Sequence, residues 1–138
     1  RKEGHEFGST TGRPRRCGWF DAVVARYAIS LNGIDAMAIT KLDVLDRFDI
    51  LKVCTGYKYK GNTFKEMPAD LDILENGEPV YTDFEGWNQS TVEAENFDQL
   101  PDKAKFYIDG LQNILGVGFL MISTGPARNQ TIRQGTLF

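Results

Sequence analysis

In the stretch WFDAVVARYAISLNG, Phe20, Val23, Val24, Tyr27, Ala28 and Leu31 recur at spacings of three and four, which predicts a helix with one apolar face that Gly33 ends. The next run, IDAMAITKLD, stays apolar until its polar end, the pattern of a buried strand that presents Thr40–Asp43 at its carboxyl end. ILKVCTGYKYKGNTFKEM reads as two extended segments around a turn at Lys60, Gly61 and Asn62, an antiparallel hairpin, and EPVYTDFEGW as a third extended piece. Between them PADLDILENG has room only for a short helix. After a polar loop over Asn88–Phe97, LPDKAKFYIDGLQNILG sets Ala104, Tyr107, Ile108, Leu111 and Ile114 on one helical face, with Pro101 in the first turn and Gly116 as the stop. VGFLMISTGP closes the pattern as an apolar strand that runs into a Ser-Thr-Gly-Pro turn, followed by a polar tail. Strands that alternate with helices and end in polar loops predict an α/β fold with a central sheet, flanking helices and an antiparallel hairpin. Ligands of such folds sit at the carboxyl ends of the strands.

Composition narrows this picture. A chain of 138 residues, 41% hydrophobic and 25% charged, fits one soluble globular domain with a real core. Its 16 lysines and arginines against 19 aspartates and glutamates leave a net charge of −3, which disfavours a broad basic surface for nucleic acid. The positive charge is instead local. GSTTGRPRRCG, residues 8–18, packs Arg13, Arg15 and Arg16 behind two hydroxyl-bearing threonines, with Gly8 and Gly12 free to turn and Pro14 fixing φ. Such a rigid loop suits an anion, and small phosphates or carboxylates, nucleic acid, and plain surface solvation remain competing uses.

Cys17 and Cys54 form no CxxC spacing, so neither a zinc site nor a disulfide framework is suggested and a reducing cytosolic compartment fits best. The lone His5 lies in the polar segment RKEGHEFG and reads as solvated. No apolar run reaches the roughly 20 residues of a membrane span, and the charged start carries no signal-peptide pattern. Opening on RKEGHEFG without a methionine, the sequence reads as a piece of something longer.

Two further stretches carry candidate chemistry. In TKLD, an aspartate at a strand end can accept hydrogen bonds from N1–H and the 2-amino group of guanine, an edge that adenine does not present. The lysine two positions earlier can lay its methylene stem over a purine while its ammonium stays hydrated. This pattern is like the NKxD motif of guanine-nucleotide proteins, with Thr40 in place of asparagine; a solvated strand end is the plain alternative. In STGP, Ser123 to Pro126, backbone N–H groups of a tight turn could reach the purine 6-oxygen, or the turn could simply end a strand.

Taken together, GSTTGRPRRCGWFDAVVARYA, AITKLDVLD, GYKYKG, TFKEMPADLDILE, PVYTDFEGW and ISTGPARNQTI resemble adenylosuccinate synthetase over nearly the whole chain, from Gly4 to about Ile132. The resemblance implies that residues 1–138 are the C-terminal third of a longer polypeptide, part of a P-loop-like nucleotide-binding α/β fold. It implies GTP-dependent ligation of L-aspartate to IMP, in which the γ-phosphoryl of GTP first activates the IMP 6-oxygen. Ser9, Thr10, Thr11, Gly12, Arg13, Pro14 and Arg15 would then bind substrate, with Arg13 touching both aspartate and IMP. Arg15, Lys41, Leu42, Asp43, Ser123, Thr124 and Gly125 would bind GTP.

By the same resemblance no catalytic acid or base and no metal ligand lies in this chain. The base, the glycine-rich phosphate loop and the Mg2+ that travels with GTP would belong to the preceding part, and the chain alone would be inactive. A cytoplasmic homodimer is implied, without nucleic acid or membrane. Ser9 stands where the family often has a small apolar residue, and GPARNQTIRQGTLF extends past the family's usual end as a polar tail with no assigned role. A free-standing guanine-nucleotide-binding module without ligase activity is the alternative.

Overall fold

The structure, a computed structural model, describes residues 3–135. In chain order its elements are β1 (Phe20–Asp21), α1 (Ala22–Asn32), β2 (Ala36–Ile39), β3 (Ile50–Tyr59), β4 (Asn62–Phe64), α2 (Leu71–Asn76), β5 (Glu78–Glu85), α3 (Asp102–Leu115), β6 (Gly118–Ser123) and β7 (Thr131–Arg133). The fold is mixed α/β, as the alternation of patterns predicts. Its described strands divide into two sheets. The long β3 organises the first, pairing with β5 antiparallel, with β1 parallel and with β4 through the expected hairpin. In the second, β6 lies between β2, to which it is parallel, and β7, to which it is antiparallel.

Asp21 joins α1 to the first sheet. Its Oδ1 caps the helix by accepting from the Val23 and Val24 backbone N–H groups at 3.0 and 3.1 Å, while Oδ2 accepts from the Tyr57 hydroxyl at 2.5 Å. Burial first, and the Asp21 carboxylate second, hold the Tyr57 phenol well above its ordinary pKa, so it remains a donor.

The buried side of α1 is only partly the predicted one, since of that face Val23 is buried and Phe20 packs on the core. Ala22 and Val23 are buried and Ala25 and Ile29 pack on the core, whereas Val24, Tyr27 and Leu31 are exposed by 45, 45 and 66%. Ala22, Ala25 and Ile29 obey the same three-and-four spacing, so periodicity finds two apolar stripes and packing chooses between them. α3 keeps nearly its predicted face, with Ala104, Tyr107, Ile108, Leu111 and Leu115 buried. Ile114 only flanks the core, and Pro101 precedes the first turn as its N-cap.

Two strand expectations also change. β2 is half-buried rather than buried, because it lies at the edge of its sheet with one partner strand. The segment expected as a polar tail contains β7, whose Ile132 is 1% exposed between Thr131 and Arg133. One apolar residue among polar ones carries no periodic signal, and only pairing with β6 gives it a place.

A carboxylate hub fixes the segment that follows β2. Asp46 accepts from the Trp87 indole N–H at 2.7 Å, the Thr91 backbone N–H at 2.8 Å and the Thr91 hydroxyl at 2.9 Å. Asp46→Ala leaves these donors unpaired beside a fully buried threonine. Its expected cost is about 3 kcal/mol of folding stability, readable as a lowered midpoint in urea; an unchanged midpoint would show that the hub contributes nothing.

Candidate functional site

Because β2 and β6 are parallel, with Ile39 in register with Ile122, the segments that leave them emerge at the same end of the sheet. TKLD and STGP, 80 residues apart in sequence, thereby become neighbours. Lys41 takes a left-handed conformation at φ 62° and opens a 3-10 turn over Leu42–Leu45. Leu42 is fully buried and anchors that turn, which leaves Lys41 and Asp43 on either side of it facing outward. Thr40, Lys41, Asp43, Ser123 and Gly125 line one cleft of about 430 Å³, and Glu3, Gly4, His5, Val44 and Pro126 form the rest of its wall.

The second turn is held from behind. Thr124 is fully buried, its backbone N–H donating to the Gln130 carbonyl at 2.9 Å, and the Gln130 side-chain oxygen accepts from the Ala127 N–H at 2.9 Å. The Ser123 hydroxyl donates to the Gly125 carbonyl at 2.9 Å. The Leu42 and Thr124 side chains are therefore core, and the Thr124 N–H is already spent on Gln130. Lys41, Asp43, Ser123 and Gly125 stand at the cleft itself.

The arginine loop is a separate, exposed structure. Phe7 and Pro14 form an isolated antiparallel bridge, the Gly8 N–H donates to the Arg13 carbonyl at 2.8 Å and the Gly12 N–H to the Gly8 carbonyl at 2.8 Å. Gly12 sits at φ 63°, in the left-handed region that favours glycine, and the Thr11 hydroxyl accepts from the Arg13 N–H at 3.3 Å. Ser9, Thr10, Thr11, Gly12, Arg13, Pro14, Arg15 and Arg16 are all exposed and do not line the cleft. A knot of hydroxyls, turned backbone and guanidinium groups open to solvent can take an anion without burying an unpaired charge.

Glu6 bridges the two sites, and sequence reasoning missed it. One carboxylate oxygen accepts from Arg15 Nη1 at 3.1 Å and the other from the Lys41 ammonium, which also donates to the Gly4 carbonyl at 2.8 Å. The hydrogen bonds from Lys41 and then Arg15 lower the Glu6 pKa and keep it ionised. Glu6 and Lys41 are 35 positions apart in sequence, so no local spacing signals the contact. His5 is exposed, as expected of a solvated residue, yet it borders the cleft.

Among the described residues there is no group of three or more His, Cys, Asp or Glu side chains placed to hold a metal ion. Cys17 is exposed and Cys54 buried, both as free thiols, and burial raises the Cys54 pKa. No helix among the described residues is long and apolar enough to cross a membrane.

Adjoining carboxyl ends of parallel strands, opening on a cleft with a basic loop beside it, define an α/β nucleotide-binding fold. Residues 1–132 match the family described as adenylosuccinate synthetase, and the chain belongs to that family. It is 51% identical over 132 residues to the adenylosuccinate synthetase of Geotalea daltonii, covering 96% of this chain and 31% of that protein. The Clostridioides difficile synthetase is 49% identical over 138 residues, covering 100% of this chain and 32% of that protein. The structure of fully ligated adenylosuccinate synthetase from Plasmodium falciparum matches with a TM-score of 0.92 at 37% identity, over 98% of this chain and 33% of that one. The chain thus spans about a third of the length of the relatives it matches.

Proposed function

We propose that the chain is the C-terminal, substrate-recognising third of a ligase that joins L-aspartate to IMP at the expense of GTP. The observation that carries this reading is the convergence of Lys41, Asp43, Ser123 and Gly125 on one cleft. Asp43 would accept from guanine N1–H and the 2-amino group while the stem of Lys41 covers the ring, and backbone N–H groups of the Ser123–Gly125 turn would meet the 6-oxygen. Leu42 would take part through its backbone, and Thr124 by holding the turn in place through its bond to Gln130. Ser9, Thr10, Thr11, Gly12 and Pro14 would shape the aspartate loop, Arg13 would grip an aspartate carboxylate beside IMP, and Arg15 would face the GTP phosphates.

In this reading the chain supplies binding, orientation and fixed positive charge where phosphoryl transfer develops negative charge. Mg2+ would neutralise the phosphates, held by residues outside this chain, and the proton-transferring groups would lie there too. The chain by itself would be inactive.

A chimera tests the reading, with this chain replacing the matching third of the Geotalea daltonii synthetase. Arg13→Leu is expected to raise the KM for aspartate roughly 100-fold, since a carboxylate that loses its charged partner costs about 3 kcal/mol. Normal aspartate saturation in that variant would remove the loop from the site.

A further inference from the structure

Glu6 stands between two cations that the proposed reaction assigns to different tasks. Its carboxylate spends one oxygen on Arg15 and the other on Lys41, and its backbone carbonyl accepts from the Arg15 N–H at 3.0 Å. Lys41 is fixed a second time by the Gly4 carbonyl, two residues before Glu6. Of the three charged side chains Glu6 is the least exposed, at 23% against 56% for Arg15 and 48% for Lys41. An incidental surface pair uses one contact between two mobile side chains, whereas here one carboxylate ties two separate segments together with backbone support on both sides. It also places one negative charge between two positive ones, so that they can stand close and still offer a net positive face.

We infer that Glu6 is a positioning residue that couples the aspartate loop to the guanine cleft, setting Arg15 and Lys41 in register so that occupancy of either site favours the other. The inference rests on the proposed ligase reading. Glu6 touches neither ligand in it. Its effect passes through Arg15, which orients the loop at 8–16, and through Lys41, which orients the turn at 40–43. Coupling of this kind between two sites is reciprocal and must appear in both binding constants.

The test uses the same chimera with Glu6→Gln, which keeps the shape and removes the charge. The expected result is a rise of roughly tenfold in the KM for GTP and in the KM for aspartate, with kcat within about threefold of the parent. The melting temperature should move by less than about 2 °C, because exposed ion pairs contribute little to stability. If either KM is unchanged the inference is overturned, since joining two sites requires both to move. A melting temperature that falls in step with activity assigns Glu6 a purely structural role and overturns it as well. Asp43→Asn measured alongside separates the two levels. An unchanged KM for GTP in that variant defeats the guanine reading and the inference with it. A raised one, with Glu6→Gln inert, defeats the coupling alone.

Discussion

Gly86→Ala is expected to abolish the native fold. A Cβ at this buried position would lie 1.6 Å from the Phe48 carbonyl oxygen and 2.6 Å from its carbon. Both atoms are backbone, so no rotamer relieves the overlap. The strand end and the Phe48–Asp49 segment would have to part, breaking the hydrogen bond from the Gly86 N–H to the Asp49 carbonyl at 2.8 Å. That bond continues the ladder in which Ile50 of β3 pairs with Glu85 of β5. Trp87, 4% exposed and bonded to Asp46, would be dragged with it. Overpacking against rigid backbone costs upward of about 3 kcal/mol, a large part of the roughly 5–15 kcal/mol that holds a domain together. Circular dichroism of the variant should show no cooperative melt. A transition within 2 °C of the parent would mean that the two segments separate at little cost, contrary to the packing described here.

The second large effect is on nucleotide choice. Asp43→Asn is isosteric, and the turn bond from the Asp46 N–H to the Asp43 carbonyl, 3.2 Å, involves backbone only. The turn should therefore persist while the charged acceptor is lost. In the chimera the KM for GTP is expected to rise roughly 30-fold or more, matching about 2 kcal/mol for a hydrogen-bonded pair with one charged member, while the KM for IMP stays put. Inosine triphosphate, which lacks the 2-amino group, sharpens the test. The parent should prefer GTP to it in kcat/KM, and the variant should lose most of that preference. Equal GTP kinetics in parent and variant would take Asp43 out of guanine recognition.

Periodicity and turn chemistry made much of this molecule legible in advance. The α3 face, the hairpin at Lys60–Asn62 and the strand ends at Thr40–Asp43 and Ser123–Pro126 are local patterns, set by residues within a few positions of one another. The loop at 8–16 announced itself by its glycines, proline and arginines for the same reason. The failures share a cause too. Val24, Tyr27 and Leu31 satisfy helical spacing as well as Ala22, Ala25 and Ile29 do, and Ile132 gives no pattern in a polar segment, so their fates depended on partners far along the chain.

The candidate site divides along the same line. Sequence alone determined which residue types stand at the strand ends and in the arginine loop, because those choices follow from short-range spacing and side-chain chemistry. Only the tertiary structure decided that they meet. The parallel register of β2 and β6 puts Asp43 and Ser123 at one cleft, and the fold of the N-terminal turn brings Glu6 onto Lys41 and Arg15. The Glu6–Lys41 contact spans 35 positions, and like the meeting of Asp43 with Ser123 it is set by the packing of whole elements, so no local stretch of sequence encodes it.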